Sequence, residues 1–174
     1  MARPSAVRAM SGTVGELRYA IRGVRKFLVF SEDVLRHFDQ HRQRRQWHAE
    51  AGGQLFARFS ADIITVVSAT GPYPADRRSR FRFTPHRERE RQDVQEHFAS
   101  GLHFIGNWHT HPQARPQPSG TDVRNTRQRF IQSEHELLAF TMVIVGLDAF
   151  PRGLWVGLID ADETTALESA CFDY

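Results

Sequence analysis

The sequence predicts an α/β (α+β) domain in which a mixed sheet is flanked by helices, and three observations carry this. Strand-like and helix-like segments follow one another without the strict βαβ alternation of a doubly wound fold. A chain of 174 residues, 40% of them apolar, suffices for one domain whose core needs no covalent staples. The only cysteine, Cys171, rules out a disulfide scaffold, and no internal repeat, heptad pattern or low-complexity segment interrupts the chain.

Met1 to about Thr13 has small residues, Pro4 and no periodicity, which predicts a loose tail over 1–15 and one domain over 16–174. Leu17 to Ile21 and Phe27 to Phe30 are β-prone runs around Gly23, a hairpin pattern. Ser31 before Glu32 and Asp33 signals a helix start, and Val34, Leu35 and Phe38 follow at helical spacing, with the helix expected to end near Trp47. Gly52 and Gly53 break the pattern before two adjacent strands, one through Leu55, Phe56 and Phe59 and one through Ile63, Ile64, Val66 and Val67. Asp76 to Arg78 read as a turn, and Phe81 and Phe83 alternating with Arg80 and Arg82 read as a strand with one wet face. A second helix is expected from about His86 to Ser100, with Val94 and Phe98 four apart, and a further strand over Leu102 to Trp108. After the stiff loop Pro112 to Pro118, a third helix begins near Ser119 with Val123, Phe130 and Ile131 on one face. Phe140 to Val145 and Leu154 to Ile159 close the pattern as buried strands, and Asp162 to Tyr174 carry no usable signal.

Composition narrows the function classes. No run approaches the roughly 18 apolar residues that cross a bilayer, and no apolar stretch follows the basic residues of Met1 to Met10, so neither a membrane span nor a secretory signal is expected, and the cytoplasm is the expected compartment. The formal charge is +3, but of 23 basic residues only Lys26 is lysine. Arginine groups such as Arg42, Arg44, Arg45 and Arg77, Arg78, Arg80, Arg82 could meet phosphates or carboxylates, although GC-rich codon usage explains them more simply. Acidic residues are interspersed, as in Glu88, Arg89, Glu90, Arg91, so charge alone does not make this a nucleic-acid binder.

The informative stretch is Asn107 to Asp122, N-W-H-T-H-P-Q-A-R-P-Q-P-S-G-T-D. His109 and His111, two apart on a strand, put their side chains on one face. Asp122 then falls at the start of the third helix. With no second cysteine to use, a metal site must come from His, Asp and Glu, and nine His are available. Two neutral imidazoles and one carboxylate form a hydrolytic zinc set that leaves a fourth position for water, whose pKa such an ion lowers to about 7. His-x-His alone is weak evidence, since an incidental surface pair is commoner than a site. Ser119-x-x-Asp122 also reads as a capping box, a role compatible with Asp122 facing an ion. The joint spacing is what makes the signal specific.

These residues resemble the JAMM (JAB/MPN-plus) metallopeptidases, whose motif is an upstream Glu followed by His-x-His-x7-Ser-x-x-Asp, and the spacing here matches without a gap. Glu50-Ala-Gly-Gly-Gln-Leu-Phe fits the family's placement of its Glu before a Gly-rich strand start. Ala69-Thr-Gly-Pro, Arg78-Ser-Arg-Phe-Arg-Phe and Gly106-Asn-Trp-His-Thr-His-Pro resemble a bacterial branch of small stand-alone JAB proteins, over residues 27 to 160. Some members of that branch sit in antiphage operons of the CBASS type and act on the conjugates of a nucleotidyltransferase.

The resemblance implies a JAB/MPN-like fold and a zinc-dependent peptidase or isopeptidase, a deubiquitinase-like hydrolase. It implies His109, His111 and Asp122 as zinc ligands, Glu50 as general base and then acid, and Ser119 as hydrogen-bond donor to the oxyanion. The substrate it implies is the amide after the C-terminal tail of a ubiquitin-like modifier or conjugated protein, with a ubiquitin-activating and conjugating-like enzyme pair as associated partners. The segment Gly71 to Pro85 is the expected edge for an extended tail. Trp108 and Asn107 read as core packing and a strand-end polar residue. Three alternatives stand beside this reading: a RadC-like DNA-repair-associated protein, a JAB hydrolase of a sulfur-carrier protein, and a non-catalytic interaction module.

Overall fold

The computed structural model describes residues 15–170; the expected N-terminal tail, apart from Gly15, and Cys171 lie outside the described residues. Ten strands and three helices alternate irregularly in the order β1 (Leu17–Ile21), β2 (Lys26–Phe30), α1 (Glu32–Gln40), β3 (Gly52–Phe59), β4 (Ile63–Ala69), β5 (Arg77–Ser79), β6 (Arg82–Thr84), α2 (Arg87–Ala99), β7 (His103–Thr110), α3 (Gly120–Gln132), β8 (Phe140–Val145), β9 (Leu154–Ile159) and β10 (Thr164–Ala166). Eight strands form one mixed sheet in the order β1-β2-β4-β3-β7-β8-β9-β10, and β5 and β6 form a separate hairpin. The pairs β2/β4 and β7/β8 are parallel, the rest antiparallel. Tyr19 bridges to Ser169, and the Ala170 N–H donates to the Arg18 carbonyl at 2.8 Å, so the sheet curls until the chain after β10 meets β1. This is the mixed sheet flanked by helices that the sequence predicts.

The strand alternation sorts the two faces. Along β7, Trp108 and Thr110 are buried on one side, where Trp108 packs against His37 and Phe38 of α1 at ring separations of 5.2 Å. Asn107 and His109 face the other side, toward α3. The core between α1 and the sheet gathers Phe30, Val34, Leu35, Phe38, Leu55 and Trp108. A smaller apolar group, Met142, Ile144, Trp155 and Ile159, packs under Val123 of α3.

Several elements differ from expectation for identifiable reasons. The first helix starts where its signal places it, with Ser31 capping Val34, but it ends at Gln40 rather than near Trp47. Arg42 and Gln43 turn inward there and spend their donors on remote backbone: Arg42 on the Gly146 carbonyl at 2.8 Å, Gln43 on the Arg80 carbonyl at 2.8 Å. The second helix has its expected span, yet Val94 and Phe98 are exposed, and its buried residue is Asp93, held by the Tyr73 hydroxyl at 2.9 Å and by Arg89 at 2.7 Å. In α3, Phe130 packs on Phe140 while Ile131 is exposed, so the expected apolar face is narrower by one residue. Of the residues read as a turn, Asp76 closes one that begins at Tyr73, but Arg77 and Arg78 open a strand. The Asp76 carboxylate fastens both ends of that hairpin by accepting from Tyr73 N–H at 2.6 Å and His86 N–H at 2.8 Å. Strand β10 is too short to show a period in sequence and lies where no signal was legible.

Candidate metal centre

The site is assembled by strand register. Gly52 of β3 stands opposite His109 of β7, and the Thr110 N–H donates to the Ala51 carbonyl at 2.8 Å, so the pairing runs on past Gly52 and brings Glu50 level with His111. His111 lies one residue beyond β7 but keeps the strand direction, because its N–H donates to the Val145 carbonyl of β8 at 2.9 Å. The two glycines are required by close approach. A Cβ on Gly53 would sit 1.8 Å from the Thr70 carbonyl oxygen, and one on Gly52 would sit 2.7 Å from the Phe83 ring, which closes over that strand start. The third component comes from the N-terminus of α3, where Ser119 and Asp122 form the expected capping box: Asp122 N–H donates to Ser119 Oγ at 3.2 Å and Ser119 N–H donates to Asp122 Oδ2 at 2.7 Å.

The structure thus brings together all five residues singled out in the sequence. His109 Nε2 and His111 Nε2 lie 3.2 Å apart; His109 Nε2 is 3.5 Å from Asp122 Oδ1 and His111 Nε2 is 3.5 Å from the other oxygen, Oδ2. Among the described residues these three side chains are the group whose ligand atoms converge, all within 4.8 Å of one another. Zinc bonds of about 2.0–2.1 Å in a tetrahedron put neighbouring donors roughly 3.3–3.4 Å apart, which matches these separations. Two imidazole nitrogens and a carboxylate are also the donor types zinc takes, so the residues fit the ion.

The electrostatics follow from burial. Glu50 is only 9% exposed, and burial pushes its carboxyl up to about 7, with Asp122 adding to the shift and His109 opposing it. Burial also acts to raise Asp122, but hydrogen bonds from His109 and Ser119 outweigh it and hold that carboxyl well below the usual range. Burial, together with the neighbouring His109, lowers His111. At neutral pH the centre therefore pairs a firmly ionised carboxylate with a neutral-leaning imidazole and a carboxyl poised near the working pH.

Two further residues escaped the sequence reading. Thr110, fully buried between the two histidines, accepts from Ala51 N–H at 3.0 Å and donates to Gln43 Oε1 at 3.0 Å. Gln43 in turn donates to the carbonyls of Arg80 and His48. This chain of bonds ties the histidine strand, the Glu50 segment and the β5–β6 hairpin together. Thr110 carried a faint signal, a polar residue at an inward position of a strand, whereas Gln43 is hidden among Arg42, Arg44 and Arg45. Glu50 itself is held by its main chain, donating to the Ser79 carbonyl at 2.8 Å and accepting from Arg78 Nε at 2.7 Å. Trp108 is core, as expected, its Nε1 donating to the Thr70 carbonyl at 2.9 Å. Asn107 is not at a strand end but inside β7, where it donates to the Gly53 carbonyl and accepts from Arg129.

A curled mixed sheet carrying an acid, two histidines and a capped aspartate at one end presents a donor set that suits a metal ion. The chain belongs to the prokaryotic homologs of the JAB domain, whose family profile matches residues 31–156. It is 30% identical over 133 residues to a CD-NTase/cGAS isopeptidase of Vibrio cholerae serotype O1, covering 75% of this chain and 80% of that one. A CD-NTase/cGAS isopeptidase of Pseudomonas aeruginosa is 32% identical over 72% of this chain and 80% of its own length. A probable metalloprotease of Sinorhizobium fredii is 30% identical over 70% and 83%. The fold is also that of a solution structure from Desulfitobacterium hafniense, with a TM-score of 0.56 at 22% identity over 80% of this chain and 87% of that one. No helix among the described residues is long and apolar enough to cross a membrane.

Proposed function

We propose that the protein is a zinc-dependent JAMM-type isopeptidase of one domain, which cleaves the amide after the C-terminal tail of a ubiquitin-like modifier or conjugated protein. The supporting observation is the convergence of His109, His111 and Asp122, with Glu50 brought level by strand register. Relatives named CD-NTase/cGAS isopeptidases support a conjugated nucleotidyltransferase as substrate; by the family resemblance it would belong to a CBASS antiphage system, with an activating and conjugating enzyme pair as its source.

His109, His111 and Asp122 would hold the zinc, which when bound supplies Lewis acidity toward the scissile carbonyl and toward a water. The rest is the work of this chain's own residues. Glu50, buried and raised toward neutral pH, accepts a proton from the attacking water and delivers it to the leaving amine. Ser119 Oγ accepts from the Asp122 N–H, which leaves its own proton free to be donated to the developing oxyanion. Asp122 is kept ionised by its bonds to His109 and Ser119. Strand β6 of the hairpin offers an extended tail an edge to pair with, since its strand partner is β5 alone, whereas β5 is already bonded to the Glu50 main chain at Ser79.

The test is cleavage of a purified conjugate between a CD-NTase-type nucleotidyltransferase and its acceptor. The protein is expected to release the nucleotidyltransferase with its native C-terminus, and Glu50→Gln to leave the conjugate intact while retaining zinc. Cleavage by Glu50→Gln at the parental rate would remove the general-base assignment.

A further inference from the structure

The metal centre opens into a groove of about 1100 Å³ between the β5–β6 hairpin and α3. Its charge is sorted. Among the described residues, the only carboxylates lining it are Glu50 and Asp122, both at the centre, while Arg80, Arg82, Arg87 and Arg129 line the rest. These guanidinium groups are engaged to different degrees, Arg129 most of all, since it bonds Asn107 as well as Glu90. Arg82 makes no hydrogen bond or ion pair among the described residues, and Arg80 gives one bond to the Gln46 carbonyl and lies over the Phe81 ring. Arg87 and Arg129 share one carboxylate, that of Glu90, at 3.2 and 3.6 Å. Four cations therefore line the groove, against Glu50 and Asp122 at the centre and Glu90 behind Arg87 and Arg129.

A rim of this kind is costly to the folded protein unless something of opposite sign enters, because like charges gathered on one concave wall repel and are screened only over about 8 Å in physiological salt. Arginine forks match carboxylates in geometry, two donors to two oxygens. A lysine-rich flank would be repelled by the same rim. We propose that the groove selects substrates whose polypeptide carries Asp or Glu side chains within a few residues of the scissile bond, with Arg82 and Arg87 as the principal contacts. This acidic specificity rests on the peptidase reading of the site and names the class of flank that it accepts.

The experiment separates the two. Zinc-loaded Glu50→Gln protein is titrated with three fluorescein-labelled peptides of one Gly-rich framework, differing only in three central Glu, Gln or Lys residues, and with a labelled thymidine octamer. The Glu peptide is expected to bind roughly fivefold or more tighter than the Gln peptide, two exposed pairs contributing modestly each. The preference should shrink in added salt, vanish in the Arg82→Gln/Arg87→Gln double variant and survive in Arg25→Gln, which lies on the distant β1–β2 turn. Circular dichroism of each variant establishes that folding is unchanged. Equal binding of the Glu and Gln peptides, preference for the Lys peptide, or tighter binding of the oligonucleotide than of the Glu peptide would each overturn the proposal. A Glu preference together with a parent protein that hydrolyses no conjugate upholds the acidic groove and removes the peptidase reading instead.

Discussion

The two walls of the groove are built on different principles. On the side of β7 and α3, the ligands sit on a central strand paired on both edges and on a capped helix end, so main-chain register and a capping box place every donor. On the side of β5–β6, a two-stranded hairpin stands apart from the main sheet, with Phe81 at its tip 74% exposed, and it is fastened by bonds to Asp76, Gln43 and the Glu50 main chain. A wall built on a doubly paired strand and a capped helix end is over-determined, whereas a separate two-stranded hairpin is hung from a few points.

Each side can be broken on its own. The largest effect is expected at the rigid wall, where His109→Ala removes one of three ligands and should abolish both zinc retention and hydrolysis, read by elemental analysis and by conjugate cleavage. Next comes Glu50→Gln, which should lower kcat roughly 10²–10⁴-fold with the metal retained. The link between the walls is expected to give less. Gln43→Leu leaves the Thr110 hydroxyl proton without its acceptor and the Arg80 carbonyl without the Gln43 amide, so it should cost about 1–3 kcal/mol in urea unfolding, and it should lower kcat while zinc stays bound.

The last effect is a dependence on pH. In metal-free protein the Glu50 carboxyl stands at about 7 against its ordinary 4.5, so the folded state binds its proton more tightly than the unfolded. That contribution to stability is full below pH 4.5 and is lost as pH rises through 7. Glu50→Gln should therefore gain in melting temperature on the parent between pH 5 and pH 8 in the presence of a chelator. A constant difference across that range would show that Glu50 is less buried in solution.

The same contrast explains what was legible in the sequence. His109, His111, Ser119 and Asp122 lie within fourteen residues of one another, so their spacing could be read directly, and the Gly52-Gly53 start pointed to Glu50. Both parallel pairings, β2/β4 and β7/β8, and the curl that joins Tyr19 to Ser169 depend on contacts distant in sequence, and no local pattern encodes them. Gln43 and Thr110 are 67 residues apart, and each alone is an ordinary polar residue. The inverted face of α2 was illegible for a related reason: Asp93 is buried only because Tyr73 and Arg89 reach it, a compensation that outweighs the apolar spacing of Val94 and Phe98.

The central claim, that His109, His111 and Asp122 hold zinc as one centre, is tested most directly by metal content. Protein stripped with chelator, incubated with zinc chloride and desalted should carry one zinc ion per chain by inductively coupled plasma mass spectrometry. Asp122→Ala should carry almost none while keeping the parental circular dichroism spectrum. A parent protein that takes up no zinc, or an Asp122→Ala variant that takes up as much as the parent, would contradict the account.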